Sequence, residues 1–575
     1  MTDAAATPGS NGTSKLRLPT SPGELRLLKG YGPLAALLVA FALMAAFVPS
    51  VSPQQTTVTK TKSVGGSGVG GTSATGKAGT AGATGTGTAG SGGTGGTAGS
   101  SSGGTAGGQV AGGTASPCPG KTLQVTGDPY SPPCIAFSGN NGGGTSQGVS
   151  GNTITVTYRQ TSDPGFQQTL AQIGGAQFLD SPADVIRTVQ GLADYFNKNF
   201  QLYGRKINIV PFNGQGSQTA ELLGQGQQQA DADAITVGQQ YKAFAELNGS
   251  TEPYDVALAQ QKVLSFGAPY LSASFMGQYD PYMWSIATEG NDVVAAAAQA
   301  GIVQLAGKPA AYAGGSLRNQ PRKIAIIAPD NPWYQSSANV AVQEFQAAGH
   351  PVADDIQYQL NLGTLSSQAA TIDAKLQNDG ITTVVCGCDP VMPVYLTSRA
   401  HEQSYIPEWN VAGVALTDND IVGQLFDQSE WSHAFGISFQ GPTLPKNATL
   451  GYAAYKSVRS DEPANIVDLI YAQMYQMVIG IQMAGPNLTP QTFEAGERAY
   501  PGSVAGAPNA EFGTWAMPSG HYSPQVDFQE IYWDPNKTST YNGKQGAYVD
   551  IGPRYKFGTV PPGNPPLPAG FGSGN

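Results

Sequence analysis

The chain has 575 residues, 77 of them Gly, with 12% charged residues and a formal net charge of −10 from 29 basic and 39 acidic side chains. A charged fraction near half the usual ~25% and an excess of Gly mean that part of this length is of low complexity and builds no core. An acidic chain without a Lys/Arg stripe is a poor ligand for a phosphate backbone, so no nucleic-acid partner is expected.

Residues 1–30 carry Lys15, Arg17, Arg26 and Lys29, and no further charge appears until Lys60. Within that gap PLAALLVAFALMAAFVPSV is just long enough to cross hydrocarbon. The pattern predicts a cytoplasmic tail over 1–30 and a single transmembrane helix or signal anchor over 31–51, since flanking positive charge stays inside. A cleaved signal peptide, with the rest secreted, is the alternative. Residues 52–116 are almost all Gly, Ser, Thr and Ala, too poor in apolar area to order themselves, and read as a disordered linker.

Two lookalike motifs carry no chemistry. GTSATGKA at 71–78 lacks the last Ser/Thr and the strand and helix of a phosphate loop, and GTSQG at 144–148 lacks the strand-to-helix turn of a nucleophile elbow. A Cys/Pro/Gly-rich lead-in spans 117–150, where Cys118 and Cys134 flank a Pro-rich loop and are expected to pair outside the cytoplasm.

From Asn152 the chain turns apolar. TITVTYRQ alternates as a strand, and Val185, Ile186, Val189, Leu192, Ala193 and Phe196 share one face of a helix that starts at Ser181. Then follow KINIVPF as a strand, a Gln-rich helix over 218–230, AITVG as a strand ending at Gly238, a helix over 256–266 and GAPYLSA as a strand. After an Ala/Val helix over 293–305 and a loop near 308–321 the grammar repeats: KIAIIAPD, a helix over 336–348, Tyr358, a helix over 366–378, ITTVVCGCD, a helix over 391–403, and WNVAG.

Such alternation demands crossover helices between parallel strands. The fold class is therefore α/β: two doubly wound parallel-sheet lobes joined by a hinge, lobe 1 over 151–310 and lobe 2 over 321–435, with a return segment over 436–575 completing both. IVDLIYAQMYQMVIGIQMAG is a buried helix rather than a second span, because Asp468, Gln473, Gln476 and Gln482 are costly in lipid.

Ligands of open parallel sheets lie beyond the carboxyl ends of the strands. Candidate ligand-binding residues are Gln160, Ser162, Gln239, Ser272 and Ser274 in lobe 1 and Asp330, Trp333, Tyr334 and Asp389 in lobe 2, with Asn213 and Asp418 in equivalent loops. Hydroxyls and amides suit a carboxylate or amide, an Asp suits an ammonium, and Trp333 and Tyr334 suit apolar or cationic parts. Cys386 and Cys388 flank Gly387; two residues apart in a strand puts their Cα atoms ~6.5 Å apart, so a bridge requires a bend at Gly387. His350, His401, His433 and His521 are scattered, and no spacing supplies a nucleophile, a metal site or a cofactor motif, so no catalytic residue, metal or cofactor is expected.

The ordered set YGRKINIVPFNGQGSQTAELL, LSFGAPYLSAS, DPYMWSIATEGNDVVAAAA, RKIAIIAPDNPWYQ and DLIYAQMYQMVIGIQMAGPNLTPQTFEAG resembles the branched-chain amino-acid (leucine-binding) type of ABC transporter substrate-binding protein, of the periplasmic binding protein type I fold, over roughly 150–560. The resemblance implies two lobes that close on a small polar, amino-acid-like solute (an amino acid, amide or short peptide) and deliver it to an ABC permease in the membrane. It also implies that the Ser-bearing loop after the fourth strand, here Ser272 and Ser274, holds that solute. The insert GSTEPYDVALA, the Cys-Gly-Cys and the anchor depart from the pattern and leave ligand identity open. A sensor ectodomain of the same fold and an extracytoplasmic hydrolase are the alternatives. A Gly/Ser coil transmits no torque, which disfavours the first; the second lacks a catalytic constellation.

Overall fold

The computed structural model describes residues 112–161, 165–175, 179–267 and 269–573. The expected tail, membrane span, most of the linker, and Ser162 lie outside the described residues. Among the described residues no helix is long and apolar enough to cross a membrane.

The described chain begins with a small hairpin. Strand β1 (Thr114–Pro117) pairs antiparallel with β2 (Ile135–Ser138), so the last three residues assigned to the linker, 114–116, are strand. The Cys118–Cys134 disulfide closes this hairpin. The lead-in is then pinned to the first lobe: Asp128, buried, accepts from the hydroxyls of Tyr471 and Tyr475 at 3.2 and 2.8 Å, and the Tyr130 hydroxyl donates to Gly513 O.

The first lobe holds five parallel strands in the order β4-β3-β5-β6-β7, with β3 Thr153–Gln160, β4 Lys206–Asn213, β5 Ala245–Gly249, β6 Leu264–Gly267 and β7 Met283–Trp284. The helix Pro182–Asn199, capped by Ser181, packs its buried stripe of Val185, Val189, Leu192 and Phe196 on this sheet. So does the late helix Val467–Ala484, which is buried along nearly its whole length. The second lobe is a seven-stranded sheet, order β14-β13-β12-β11-β10-β8-β9, with β8 Ile324–Pro329, β9 Asp354–Tyr358, β10 Thr383–Cys386, β11 Glu408–Val411, β12 Ala434–Ser438, β13 Asp527–Thr538 and β14 Gln545–Lys556. Strands β8 to β12 are parallel, and β13 and β14 add an antiparallel hairpin at the edge. This mixed α/β architecture is consistent with the periplasmic binding protein type I fold.

Several expected elements move. AITVG is not a strand: the helix Gln227–Ile235 runs on through a wide turn at Thr236–Gln240, burying Ala230, Ala234 and Val237 at helical spacing. The Gln-rich helix breaks in two at Gly224 and Gly226, both at positive φ, which glycine adopts without steric cost. The third strand is AELNG instead, where the buried Glu246 accepts from the backbone N–H of Arg159 and Asn248. A carboxyl at that interior position hides the strand from any count of apolar residues. The fourth strand is LSFG rather than GAPYLSA, and the expected insert GSTEPYDVALA is largely the helix Glu252–Gln260.

The helical run 290–305, expected to close lobe 1, packs on the second sheet, where Val294 and Ala298 meet Ile324, Ile326, Phe345 and Val385. The sheets are therefore joined by chain crossings near 285–289, 439–449 and 500–526. In the first sheet Arg159 is fully buried, bidentate to Glu221 at 2.8 and 2.9 Å, 3.4 Å from Asp233, and stacked 3.5 Å from the Tyr254 ring. That network ties the carboxyl end of β3 to the helices Gln218–Leu222 and Gln227–Ile235.

In the second lobe, burial, reinforced by the Asp427 and Asp373 carboxylates, pushes the Glu430 carboxyl up to about 8 although the Trp409 indole N–H donates to it at 3.3 Å. A folded pKa above the unfolded ~4.3 means that this group's contribution is complete below pH ~4 and is lost as pH rises through 8. Glu430→Gln keeps an acceptor for Trp409 and removes the titration. The variant is expected to match the parent in thermal midpoint near pH 4.5 and to exceed it at pH 9 by about 2–4 °C, read by calorimetry across that range.

Candidate functional site

Three strand ends and two helical segments of the second lobe and one loop of the first meet around a cavity of about 70 Å³. Its walls are Val293 and Ala297 of the helical run 290–305, Ala328 near the end of β8, Gly387 just past β10, Ala412 and Val414 just past β11, and Tyr334, Ser337 and Ala338 of the helix Pro332–Ala347. Tyr270, from the loop after β6, stands over it. The cavity runs between helices and sheet from Ile326, Phe345 and Val385 to the carboxyl ends of the strands, where an open parallel sheet leaves its loops free to bind. Its lining is apolar apart from the Ser337 and tyrosine hydroxyls.

Tyr270 links the two sheets. Its ring is 5.5 Å from that of Tyr334, and its hydroxyl accepts from Ala415 N–H at 2.6 Å. Tyr270, Ala415 and Leu416 all have φ between 50° and 62°, a left-handed backbone that side chains rarely take, so three strained residues converge on one contact. Gly290 allows the close approach behind them: a Cβ there would lie 2.1 Å from Ser337 Oγ and 2.5 Å from Tyr270 O. Burial pushes the Tyr270 and Tyr334 hydroxyls up, so both stay neutral.

At the start of the helix Pro332–Ala347, Asn331 and Trp333 are each 4% exposed. Asn331 Oδ1 caps the helix through Tyr334 N–H, while its Nδ2 and the Trp333 indole N–H find no acceptor among the described residues. Two orphaned donors and a helix N-terminus, next to a cavity lined by the adjacent Tyr334, favour a ligand that brings a hydrogen-bond acceptor.

The remaining candidates are placed less favourably for ligand. Gln160 donates to Pro182 O at 3.1 Å within its own lobe. Gln239 lies in the helical turn before β5, at the amino edge of the sheet and bonded to Gln261, so it is not a strand-end residue and is removed from the site. Ser272 caps the short helix Ala273–Met276 and shares a 3.1 Å contact with Ser274, which leaves both engaged locally. Asp330 is exposed, its N–H bonded to Tyr358 O. Asp418 accepts from Ser438.

Asp389 is spent on structure: Oδ2 accepts from Tyr358 OH at 2.6 Å, and Oδ1 accepts from Val391 and Met392 N–H at 2.7 and 3.2 Å. Ser146 of the elbow lookalike, like Thr145, donates to Leu488 O. Cys386 and Cys388 are bridged, their Cα atoms drawn to 5.0 Å, so the disulfide brackets the cavity-wall residue Gly387.

Of the expected residues Tyr334 lines this cavity and Trp333 adjoins it, whereas Tyr270, Asn331 and the Ala/Val wall carry no pattern in the sequence that singles them out. The histidines, scattered in the sequence, are not all isolated in the fold: His521 Nδ1 stands 3.2 Å from Glu289 Oε2 and 3.3 Å from Asp292 Oδ2.

No family model and no curated protein matches the sequence. Among solved structures, the likenesses are to ABC transporter solute-binding proteins. One, from Rhodopseudomonas palustris HaA2 with p-hydroxybenzoic acid, is 12% identical, covering 71% of this chain and 98% of its own at a TM-score of 0.49. A fatty acid ABC transporter substrate-binding protein from Thermomonospora curvata is 14% identical over 72% of this chain and 95% of its own, TM-score 0.48. The branched-chain amino acid transporter protein LivJ from Streptococcus pneumoniae, with isoleucine, is 14% identical over 70% of this chain and all of its own, TM-score 0.45. The two-lobed architecture stands on its own sheet order and crossings.

If Asp389 is structural, Asp389→Ala should cost about 2–4 kcal/mol by stranding the Tyr358 hydroxyl and two helix-start N–H groups. Urea unfolding measures it; a change below 1 kcal/mol would return Asp389 to the list of ligand contacts.

Proposed function

We propose that this chain is an extracytoplasmic solute-binding protein that captures a small, amino-acid-like solute between its lobes and passes it to an ABC permease. The observation that carries the reading is the apolar cavity at the carboxyl edge of the second sheet, reached under Tyr270, where the lobes meet. At about 70 Å³ it is half the size of the ~150 Å³ cavity known to take benzene, so it suits a short branched alkyl group rather than an aromatic ring. The acceptor end of the solute, a carboxylate or amide carbonyl, would take hydrogen bonds from Asn331 Nδ2 and Trp333 Nε1. Ser272, Ser274 and Asp330 stand as rim residues on this reading, and Gln160 ends the strand β3 of the other lobe.

The chemistry is binding, driven by contacts made only in the closed form, with no covalent step. Two disulfides fit an oxidising compartment, and the basic flank and apolar run before residue 52 fit a single-pass tether whose folded part lies outside.

A thermal-shift screen over amino acids, amides and short acids of graded alkyl length tests the reading. A solute at a hundredfold its Kd should add about 2.7 kcal/mol of stability. Ala338→Leu, which fills the cavity from the wall, should weaken the best solute at least about tenfold, or ~1.4 kcal/mol, without lowering the thermal midpoint of the free protein. A solute whose affinity is untouched by Ala338→Leu binds elsewhere.

A further inference from the structure

We propose that Glu289, Asp292 and His521 form a site for one divalent transition-metal ion at the crossing between the two lobes. Glu289 is the last residue before the helical run 290–305, Asp292 lies in that run's first turn, and His521 belongs to the returning chain. Their ligand atoms lie within 4.8 Å of one another.

Both carboxylates are buried, Glu289 completely, and neither Glu289 Oε2 nor Asp292 Oδ2 makes a well-formed hydrogen bond. Both are aimed at the same imidazole nitrogen, His521 Nδ1, at 3.2 and 3.3 Å. One ring N–H serves at most one of two oxygens, so a buried carboxylate oxygen is left without a proton donor. A cation between them satisfies all three. Ligand atoms on a shell of about 2.1 Å radius sit roughly 3.0 Å apart along an octahedral edge and roughly 3.4 Å apart along a tetrahedral one, which brackets both separations.

The outer contacts hold each ligand in place. Glu289 Oε1 accepts from the N–H groups of Tyr522 and Ser523, Asp292 Oδ1 accepts from Asn291 Nδ2 at 3.1 Å, and Arg498 donates to the carbonyl oxygens of His521 and Pro518. Such supports fix the orientation of metal ligands. His521 is about one-third exposed, which opens a path for the ion and leaves room for water in the remaining positions. Two carboxylates and an imidazole suit Zn²⁺, Mn²⁺, Fe²⁺ or Co²⁺ better than the all-oxygen preference of Mg²⁺ or Ca²⁺. With all four cysteines in disulfides, no thiol competes. A bound ion would staple two of the crossing segments and stiffen the movement of one lobe against the other.

The test is calorimetric titration of the full chain, stripped with a chelator, with Zn²⁺, Mn²⁺ and Co²⁺, the last also giving visible absorption bands. One ion per chain is expected at submillimolar affinity, raising the thermal midpoint. Asp292→Asn and His521→Ala should each weaken binding by about a hundredfold or more and abolish the Co²⁺ bands. Should His521→Ala not fold, His521→Gln takes its place beside Asp292→Asn. Absence of stoichiometric binding for all three ions, or affinity that survives the Asp292 and His521 substitutions within a few-fold, overturns the assignment.

Discussion

The arrangement of the molecule depends on how the crossing segments are laced together. Ser285 N–H donates to Tyr522 O at 3.0 Å, the Thr288 hydroxyl meets Gln525 Oε1 at 2.7 Å, and the buried Glu289 carboxylate accepts from two successive backbone N–H groups of the returning chain. A carboxylate out of water is costly unless donors replace its hydration, and here the chain's own backbone supplies them. Because those bonds join the departing and returning segments, they fix the separation at which the carboxyl edges of the two sheets face each other. Without that spacing Tyr270 would not reach Ala415.

Strain and rigidity collect at the same place. Left-handed Tyr270, Ala415 and Leu416 are tolerated because the surrounding loops leave them no alternative, and such residues cluster where a protein needs a shape its preferred backbone does not give. The opposite wall is stiffened differently: the Cys386–Cys388 bridge pins Gly387 at the end of β10, so the wall cannot relax into the cavity. The void therefore persists between a strained loop and a tethered strand end.

Much of the fold was legible from periodicity. The stripe of Pro182–Asn199, the continuous apolar run of β8 and the helix Leu365–Asn378 are each dictated by one repeat, and the structure keeps them. Legibility fails where a polar side chain takes an interior place. Glu246 made β5 look unlike a strand, and the Ala/Val content of 230–238 made a helix look like one. The site was legible as a set of loops, since strand ends are where ligands gather. Which side chains remain free there was not, because Asp389, Ser272 and Gln160 are engaged by partners that sequence order does not reveal. His521 and Glu289 meet only because the chain crosses and returns, a fact no local window contains.

That crossing pattern also bears on how the chain comes into being. The first lobe's core draws on strands between Thr153 and Trp284 and on the helix Val467–Ala484, and the second sheet is finished only by the hairpin of β13 and β14. Neither lobe is a contiguous stretch of sequence, so the amino-terminal one has no complete core to condense around while the carboxyl-terminal third is still missing. Contacts of such long sequence separation make for slow closure, and the early strands must wait with their apolar faces uncovered. A molecule threaded in this way condenses as one piece, and among the described residues no single cut releases either lobe as an independent unit.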